Sequence, residues 1–338
     1  MVFYGGGAYE AELAGTQVRL IRLNKRGRWD ILPFLCRLVA ALRKERPRAV
    51  HSYLGVPNIL TAVLKPFLPG THVVWGVRAS NVNLSRYDWL ARLAYRLECR
   101  LSRFADLIIA NSQAGRSYAI THGFPAQHTV VIWNGIDTER FRVDSHGRAH
   151  LRAEWGIHES ELLVGLVARK DPMKDHVTFL QAMSLLAARY GRLRFVCVGD
   201  GTPTYSASLK QLAASLGLED RLVWSEARDD MPAVYSALDV ATSCSSFGEG
   251  FSNTIAEAMA CGVPCVVTDV GDSLLIVGEL SRGVAPGDKH ALAAAISRLI
   301  DMPEDQRRKL GEACRARVIS EFGIERMVRR TEKVLRRI

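Results

Sequence analysis

Several things are missing from this sequence, and each absence removes a class of protein. No stretch approaches the ~18 uninterrupted apolar residues that a membrane-spanning helix needs. The opening residues, Met1-Val2-Phe3-Tyr4-Gly5-Gly6-Gly7, have neither a basic start nor a cleavable apolar core, so no secretory leader is expected. Cysteine is scarce: seven in all, an odd number, with no Cys-x-x-Cys pair. That argues against a disulfide framework or a thiolate zinc site and for a reducing, cytoplasmic setting. Cys261 and Cys265 read as small buried residues. There is no Asp-x-Asp and no histidine cluster at ligand spacing, so no catalytic metal is expected. No basic motif carries interleaved aromatics, so nucleic acid is not an expected partner.

What is there is an ordinary globular composition, 48% apolar, on 338 residues, enough for two domains. The net charge of +10 is unevenly placed. Residues 1–150 hold 21 Lys and Arg against 10 Asp and Glu, whereas the remainder holds 24 against 25. The first half therefore suits an anionic partner, such as a membrane surface or an acidic acceptor.

The patterning alternates strand and helix. Residues 1–7 read as the end of a strand and a turn, 8–13 as a helix too short for a βαβ crossover, and 18–23 as the next strand. This is a partial first unit. Helices are expected over 31–44, 58–66, 88–104 and 113–122, with strands over 49–53, 71–77, 107–111 and 129–133. A polar stretch around 141–150, where periodicity lapses, is the expected interdomain linker. A second series follows, with strands over 162–168, 193–198, 222–225, 238–244 and 264–269. Helices over 175–190, 205–216, 231–237 and 289–301, and a basic helical tail over 304–338, go with them. The expected fold is α/β, with two doubly wound parallel sheets in domains spanning about 1–143 and 150–321.

On the 88–104 helix, Arg92, Arg96, Arg100 and Arg103 line one face, beside a stripe of Leu90, Leu93, Leu97, Leu101 and Phe104. Such a helix either packs its stripe on the sheet with its arginines solvated, or lies on an anionic membrane. On a membrane each near-surface cation contributes about 1 kcal/mol.

The chain's chemistry concentrates at Ser246-Phe247-Gly248-Glu249-Gly250-Phe251-Ser252-Asn253, continuing to Glu257 and stopped by Gly262 and Pro264. A strand ends, a loop carries Glu249, and a helix opens at Ser252 or Asn253 with Glu257 in its first turn. Free amides and the helix dipole make such an entry an anion site. Two flanking carboxylates would repel a bare phosphate, so the arrangement suits a ligand with phosphate and hydroxyls together. Arg169-Lys170-Asp171-Pro172-Met173-Lys174 follows another strand. Asp171 is a good N-cap and Pro172 a good first helical residue, which leaves Lys174 as a cation where the dipole disfavours one. An anion between Arg169 and Lys174 would resolve that conflict. Val198-Gly199-Asp200-Gly201 fails as a dinucleotide fingerprint because Thr204 stands at the third glycine, although Glu226 ends the next strand and keeps a dehydrogenase open.

Together these residues resemble the family 4 retaining glycosyltransferases of GT-B architecture. Asn134-Gly135-Ile136-Asp137 with Phe141 resembles the family's interdomain signature. Arg169 and Lys174 match its pyrophosphate pair, and Glu249 with Glu257 its Glu-x7-Glu motif. Val270-Gly271-Asp272 and Pro286-Gly287-Asp288 continue the pattern. The resemblance implies two facing Rossmann-like domains with the active site in the cleft and no cofactor beyond a nucleotide-diphosphate-sugar co-substrate. It implies that Arg169 and Lys174 neutralise the leaving diphosphate and that Glu249 with Gly250, Phe251, Ser252 and Asn253 holds the sugar. Glu257 would take the ribose, and Gly199, Glu226 and Arg228 would border the nucleotide. It also implies a final helix over 322–338 that crosses back to the first domain. Where many relatives carry an acceptor-side histidine, this chain has Arg78 and Asn81, which suits a polar or anionic acceptor group. The family's first strand and glycine-rich loop have no counterpart here. A homologue that binds nucleotide-sugar without turnover is therefore the alternative expectation.

Overall fold

Two parallel sheets carry the chain. The computed structural model describes residues 1, 10, 13, 15–27, 30–78, 80, 88–281 and 283–338. The first half runs α1 (Leu32–Glu45), β1 (Ala49–Tyr53), α2 (Gly55–Leu64), β2 (His72–Val77), α3 (Trp89–Leu101), β3 (Leu107–Ala110), α4 (Gln113–Thr121) and β4 (Thr129–Val131). Its strands pair in the order β1-β2-β3-β4. Val73, Val74 and Trp75 of β2 are fully buried, as expected of a parallel strand covered on both faces.

The second half begins with α5 (Ser145–Glu154), then β5 (Leu162–Val167), α6 (His176–Arg189), β6 (Leu193–Val198), α7 (Pro203–Ser215), β7 (Leu222–Ser225), α8 (Met231–Ala237) and β8 (Val240–Ser243). It continues through α9 (Asn253–Ala260), β9 (Cys265–Thr268), α10 (Ser273–Val277), β10 (Gly283–Val284), α11 (Lys289–Ile300), α12 (Glu304–Phe322) and α13 (Ile324–Leu335). Its sheet order is β10-β9-β8-β5-β6-β7, all parallel. The chain winds outward from β5 to β7, then returns to lay β8 on the other side of β5. The carboxyl ends of β5 and β8 therefore form the switch point of this sheet, where ligands bind in such folds.

Three expectations are corrected. The strand over 18–23 shows only a one-residue bridge at Arg22; the segment is held instead by Leu23, buried under α1 beside Phe34 and Leu38. Half of the linker over 141–150 is helix. Asp144 accepts from the amide of Gly147 at 2.8 Å to start α5, and Phe141 is buried in the core. That helix buries only Leu151 and Arg152, too few apolar positions to be read as periodic. The helical tail is broken at Gly323, which leaves the α-helical region and bridges Ile136 in parallel. The strand end, turn and short helix expected before residue 14 fall largely outside the described residues.

After that break, α13 returns to the first half. Met327, Val334, Leu335 and Ile338 pack against the face formed by Val74, Leu107, Ile109 and Ile132. Gly135 makes this approach possible, because a Cβ there would stand 2.7 Å from the Cα of Ile324.

Candidate active site

The switch point between β5 and β8 is built from two loops tied to each other. After β5, Arg169 is followed by a single 3-10 turn, Pro172–Lys174, whose cap is Asp171 accepting from the amide of Met173 at 2.9 Å. A separate cap, Asp175 in the left-handed region (φ 48°), starts α6 by accepting from Thr178. Asp171 and Pro172 had placed Lys174 in the first turn of the helix; it instead ends the 3-10 turn that precedes the helix. After β8, the Ser246 amide donates to the carbonyl of Met173 at 2.9 Å, fastening one loop to the other.

That fastening brings two expected residues into contact. The Lys174 ammonium pairs with Glu249 Oε1, and Ser245 Oγ donates to the same oxygen at 2.6 Å. Glu249 is only 6% exposed, so its charge depends on these partners. Arg169, by contrast, is exposed, and its guanidinium has no hydrogen-bond partner among the described residues. One cation is thus held in place by an acid while a second stands free five residues earlier. Both lie on the loop that leaves the central strand β5. Gly199, at φ +135°, lets the next loop lie against this one: a Cβ there would come within 2.3 Å of the Ala168 carbonyl. Lys170 donates to the carbonyl of Gly199 from the same side. Behind the turn His176 is fully buried with neither ring nitrogen hydrogen-bonded. Burial, then the neighbouring Lys170 and Lys174, push its pKa down to about 4.

Ser252 is the N-cap of α9, although its hydroxyl meets Thr254 Oγ1 at 3.2 Å and no helix amide. Glu257 lies one residue beyond the first turn and accepts from Tyr235 Oη at 2.7 Å. Burial raises its pKa, with the tyrosine bond opposing. Glu226 and Arg228 line a cavity of about 610 Å³ with Glu154 and Trp155. The Arg228 guanidinium is bound to Glu154 and Asp230, each at 2.7 Å, and both raise its pKa. No hydrogen bond among the described residues joins this group to Lys174 and Glu249.

The opposite wall comes from the first half. Arg78, just past β2, donates to Asn134 Oδ1 at 2.5 Å, and Asn134 Nδ2 donates to Asn253 Oδ1 at 2.9 Å. A chain of polar contacts thus crosses from the expected acceptor residue to the start of α9. Gly250 faces the same wall: a Cβ there would lie 2.8 Å from Asn111 Oδ1 and 3.4 Å from the Arg78 carbonyl. Asn81 lies outside the described residues.

One residue with a role that sequence reasoning missed is Asp272. It is 4% exposed, and its carboxylate accepts from the amides of Gln113 (2.7 Å) and Ala114 (2.9 Å) and from Trp133 Nε1 (3.0 Å). A loop acid of one half therefore meets the N-terminus of α4 in the other, a charge-assisted clamp across the cleft. The Val270-Gly271-Asp272 motif marked the position but not this partner. Phe322 adds an apolar seam, edge-on to both Trp133 (5.6 Å) and Phe251 (5.3 Å).

On α3 the structure separates two readings that periodicity left open. The helix has no buried residue, and Trp89, Leu93 and Leu97 are 71%, 52% and 42% exposed. Of the stripe, Leu101 packs against the buried cluster around Trp75 and Ile108, while Leu90, Leu93, Leu97 and Phe104 stay exposed. No helix of the described residues is long and apolar enough to cross a membrane.

Two α/β domains, each built on a parallel sheet and facing one another, form the GT-B architecture. HepE of Anabaena, crystallised in complex with UDP-glucose, superposes with a TM-score of 0.86 over 98% of this chain and 90% of that chain, at 24% identity. Sucrose-phosphate synthase of Thermosynechococcus elongatus gives 0.80 over 91% of this chain and 78% of that one, at 23% identity. Residues 2–140 match the description Glycosyltransferase Family 4, and residues 161–302 the description Glycosyl transferases group 1. N-acetyl-alpha-D-glucosaminyl L-malate synthase of Bacillus anthracis is 30% identical over 90% of this chain and 78% of its own length. The chain belongs to glycosyltransferase family 4. D-inositol 3-phosphate glycosyltransferase of Rhodococcus jostii is 28% identical over 81% of this chain, which spans 65% of that relative's length.

Proposed function

We propose that this chain transfers a sugar, with retention of anomeric configuration, from a UDP- or GDP-sugar to a glycan or lipid-linked acceptor. The observation that carries this is the Lys174–Glu249 pair at the switch point of the second sheet, with Arg169 unpartnered beside it. In this reading the diphosphate displaces part of the lysine's interaction with Glu249. Lys174 and Arg169 then hold the negative charge that grows on the leaving group, a term worth about 3–4 kcal/mol per well-placed donor. Glu249, released from full pairing, accepts from the sugar hydroxyls, with Gly250, Phe251, Ser252 and Asn253 around the ring. Glu257 takes the ribose, and Gly199, Glu226 and Arg228 border the base. Arg78 and Asn81 face the acceptor, which attacks on the side from which the diphosphate leaves. The relatives named for transfer to inositol phosphate and to malate both act on anionic acceptors, which suits Arg78.

A panel of UDP- and GDP-sugars, scored by released nucleotide diphosphate with wild type and Glu249→Ala, tests the assignment; unchanged turnover in the variant refutes it. The exposed stripe of α3, with Arg92, Arg96, Arg100 and Arg103 beside it, supports a peripheral position on an anionic cytoplasmic membrane face. Equal sedimentation with neutral and anionic vesicles would remove that part.

A further inference from the structure

The cavity bordered by Glu226 and Arg228 is not the only large hollow. A second cavity, of about 660 Å³, lies in the first half at the carboxyl ends of β1 and β2, between α2 and α3. Its size falls within the ~300–1,000 Å³ of ordinary ligand sites. Its place is where open α/β sheets bind ligands. The walls are mostly apolar: Val56, Ala91, Ala94 and Phe124, with Tyr95 and Tyr118 turning ring faces into an aromatic cluster, their centroids 6.3 Å apart.

The polar groups at this cavity are few. Glu98 sits over the start of α2, where a Cβ on Gly55 would touch its carboxylate at 2.8 Å, and it accepts from Asn58 at 2.9 Å. Burial raises its pKa, so the walls favour a neutral occupant. A saccharide needs many fixed donors and acceptors, and these walls do not offer them. At the rim Leu54 is held at φ +74°, a conformation costly for a bulky side chain and 68% exposed. Among the described lining residues Arg78 is the one cation, stacked 4.9 Å from the ring of Tyr53. Its carbonyl abuts Gly250, so the mouth of this cavity and the Glu249 loop meet at Arg78.

We propose that this cavity holds the hydrocarbon chain of an amphiphilic acceptor whose anionic head lies at Arg78, next to the transferred sugar. The inference rests on the transferase reading and gives it a substrate class. The outward face of the same helix carries Trp89, Leu93 and Leu97, so a chain leaving a bilayer has only α3 to pass.

The probe is dodecyl phosphate, titrated below its micelle concentration into the full chain, with inorganic phosphate and UDP as controls. Wild type should bind it at least about tenfold more tightly than inorganic phosphate. Ala94→Phe, which fills the cavity, should lose about that factor while UDP affinity stays the same. Equal affinity for dodecyl phosphate and phosphate, or an Ala94→Phe variant that binds as wild type does, overturns the proposal. Should Ala94→Phe fail to fold, wild type labelled with a diazirine-tagged dodecyl phosphate decides. Label at Tyr118 and Phe124 supports the cavity, and label confined to Trp89, Leu93 and Leu97 overturns it. UDP binding without dodecyl phosphate binding sinks this proposal alone; loss of UDP binding sinks the transferase reading beneath it.

Discussion

The two halves solve the same topological problem with different surfaces. In the second half the six strands are wrapped on both faces, Leu163, Val164, Phe179, Leu180, Phe195 and Val196 are fully buried, and the charges nearly balance. The first half has four described strands, holds the whole excess of positive charge, and leaves Val56, Val63, Phe67, Trp89 and Leu93 more than half exposed. Exposed apolar side chains occur in both halves, but on α3 Trp89, Leu93 and Leu97 stand together beside Arg92, Arg96, Arg100 and Arg103. The tightly packed half carries the paired Lys174 and Glu249, and the more open half carries Arg78.

If catalysis lives in the rigid half, Glu249→Ala should lower turnover by about 10²–10³-fold, read from released nucleotide diphosphate, with the melting transition retained. A fall below tenfold would move the chemistry elsewhere. In acid the halves should instead behave alike, each through one histidine that burial holds neutral. His176 is neutral in the fold, with its pKa near 4, whereas an unfolded histidine takes up a proton near 6.5. Its contribution is therefore fully present above about pH 6.5 and lost on acidification toward 4, up to about 3 kcal/mol. His51, in the first half, is lowered to about 4 by burial and then by Arg78, and its Nδ1 lies 3.2 Å from the Tyr53 hydroxyl. Urea unfolding at pH 7 and 4.5 should show that His176→Phe and His51→Phe each flatten the acid loss by a similar amount.

Asp272→Ala removes the clamp between halves and should reduce kcat/KM about tenfold while donor affinity holds, with small-angle scattering showing a wider particle. The smallest effect on folding belongs to the open half. Trp89→Asp with Leu93→Asp should change stability by less than about 0.5 kcal/mol yet abolish the preference for anionic vesicles. A large loss of stability would mean the stripe is packed after all.

Most of the strands and the loops that follow them were readable because apolar runs bounded by Gly, Asp and Pro leave few alternatives. Arg169, Lys174 and Glu249 were each found from local chemistry. That Lys174 pairs with Glu249 was not, because 75 residues separate them and only the sheet order brings β5 beside β8. The start of α5 was hidden by its own polarity, since its buried face includes Arg152, bonded to Asp239 at 3.1 Å. Asp272 was seen as part of a motif, yet its role depends on a helix N-terminus that lies 158 residues earlier in the chain. For α3, periodicity is the same whether a stripe is packed or bare, so only the structure distinguishes them.

The chain passes between its halves twice, at Ile136 and at Gly323, and these passes are bonded to each other: the Ile136 amide donates to Phe322 at 2.8 Å and the Ile324 amide to Ile136 at 3.0 Å. A single tether would let one half swivel in any direction. Two strands laced side by side resist twist and sideways shear, and leave one easy rotation about the line of their contact. In the proposed transfer, any opening and closing of the two halves would follow that one rotation, which carries Arg78 toward or away from Glu249.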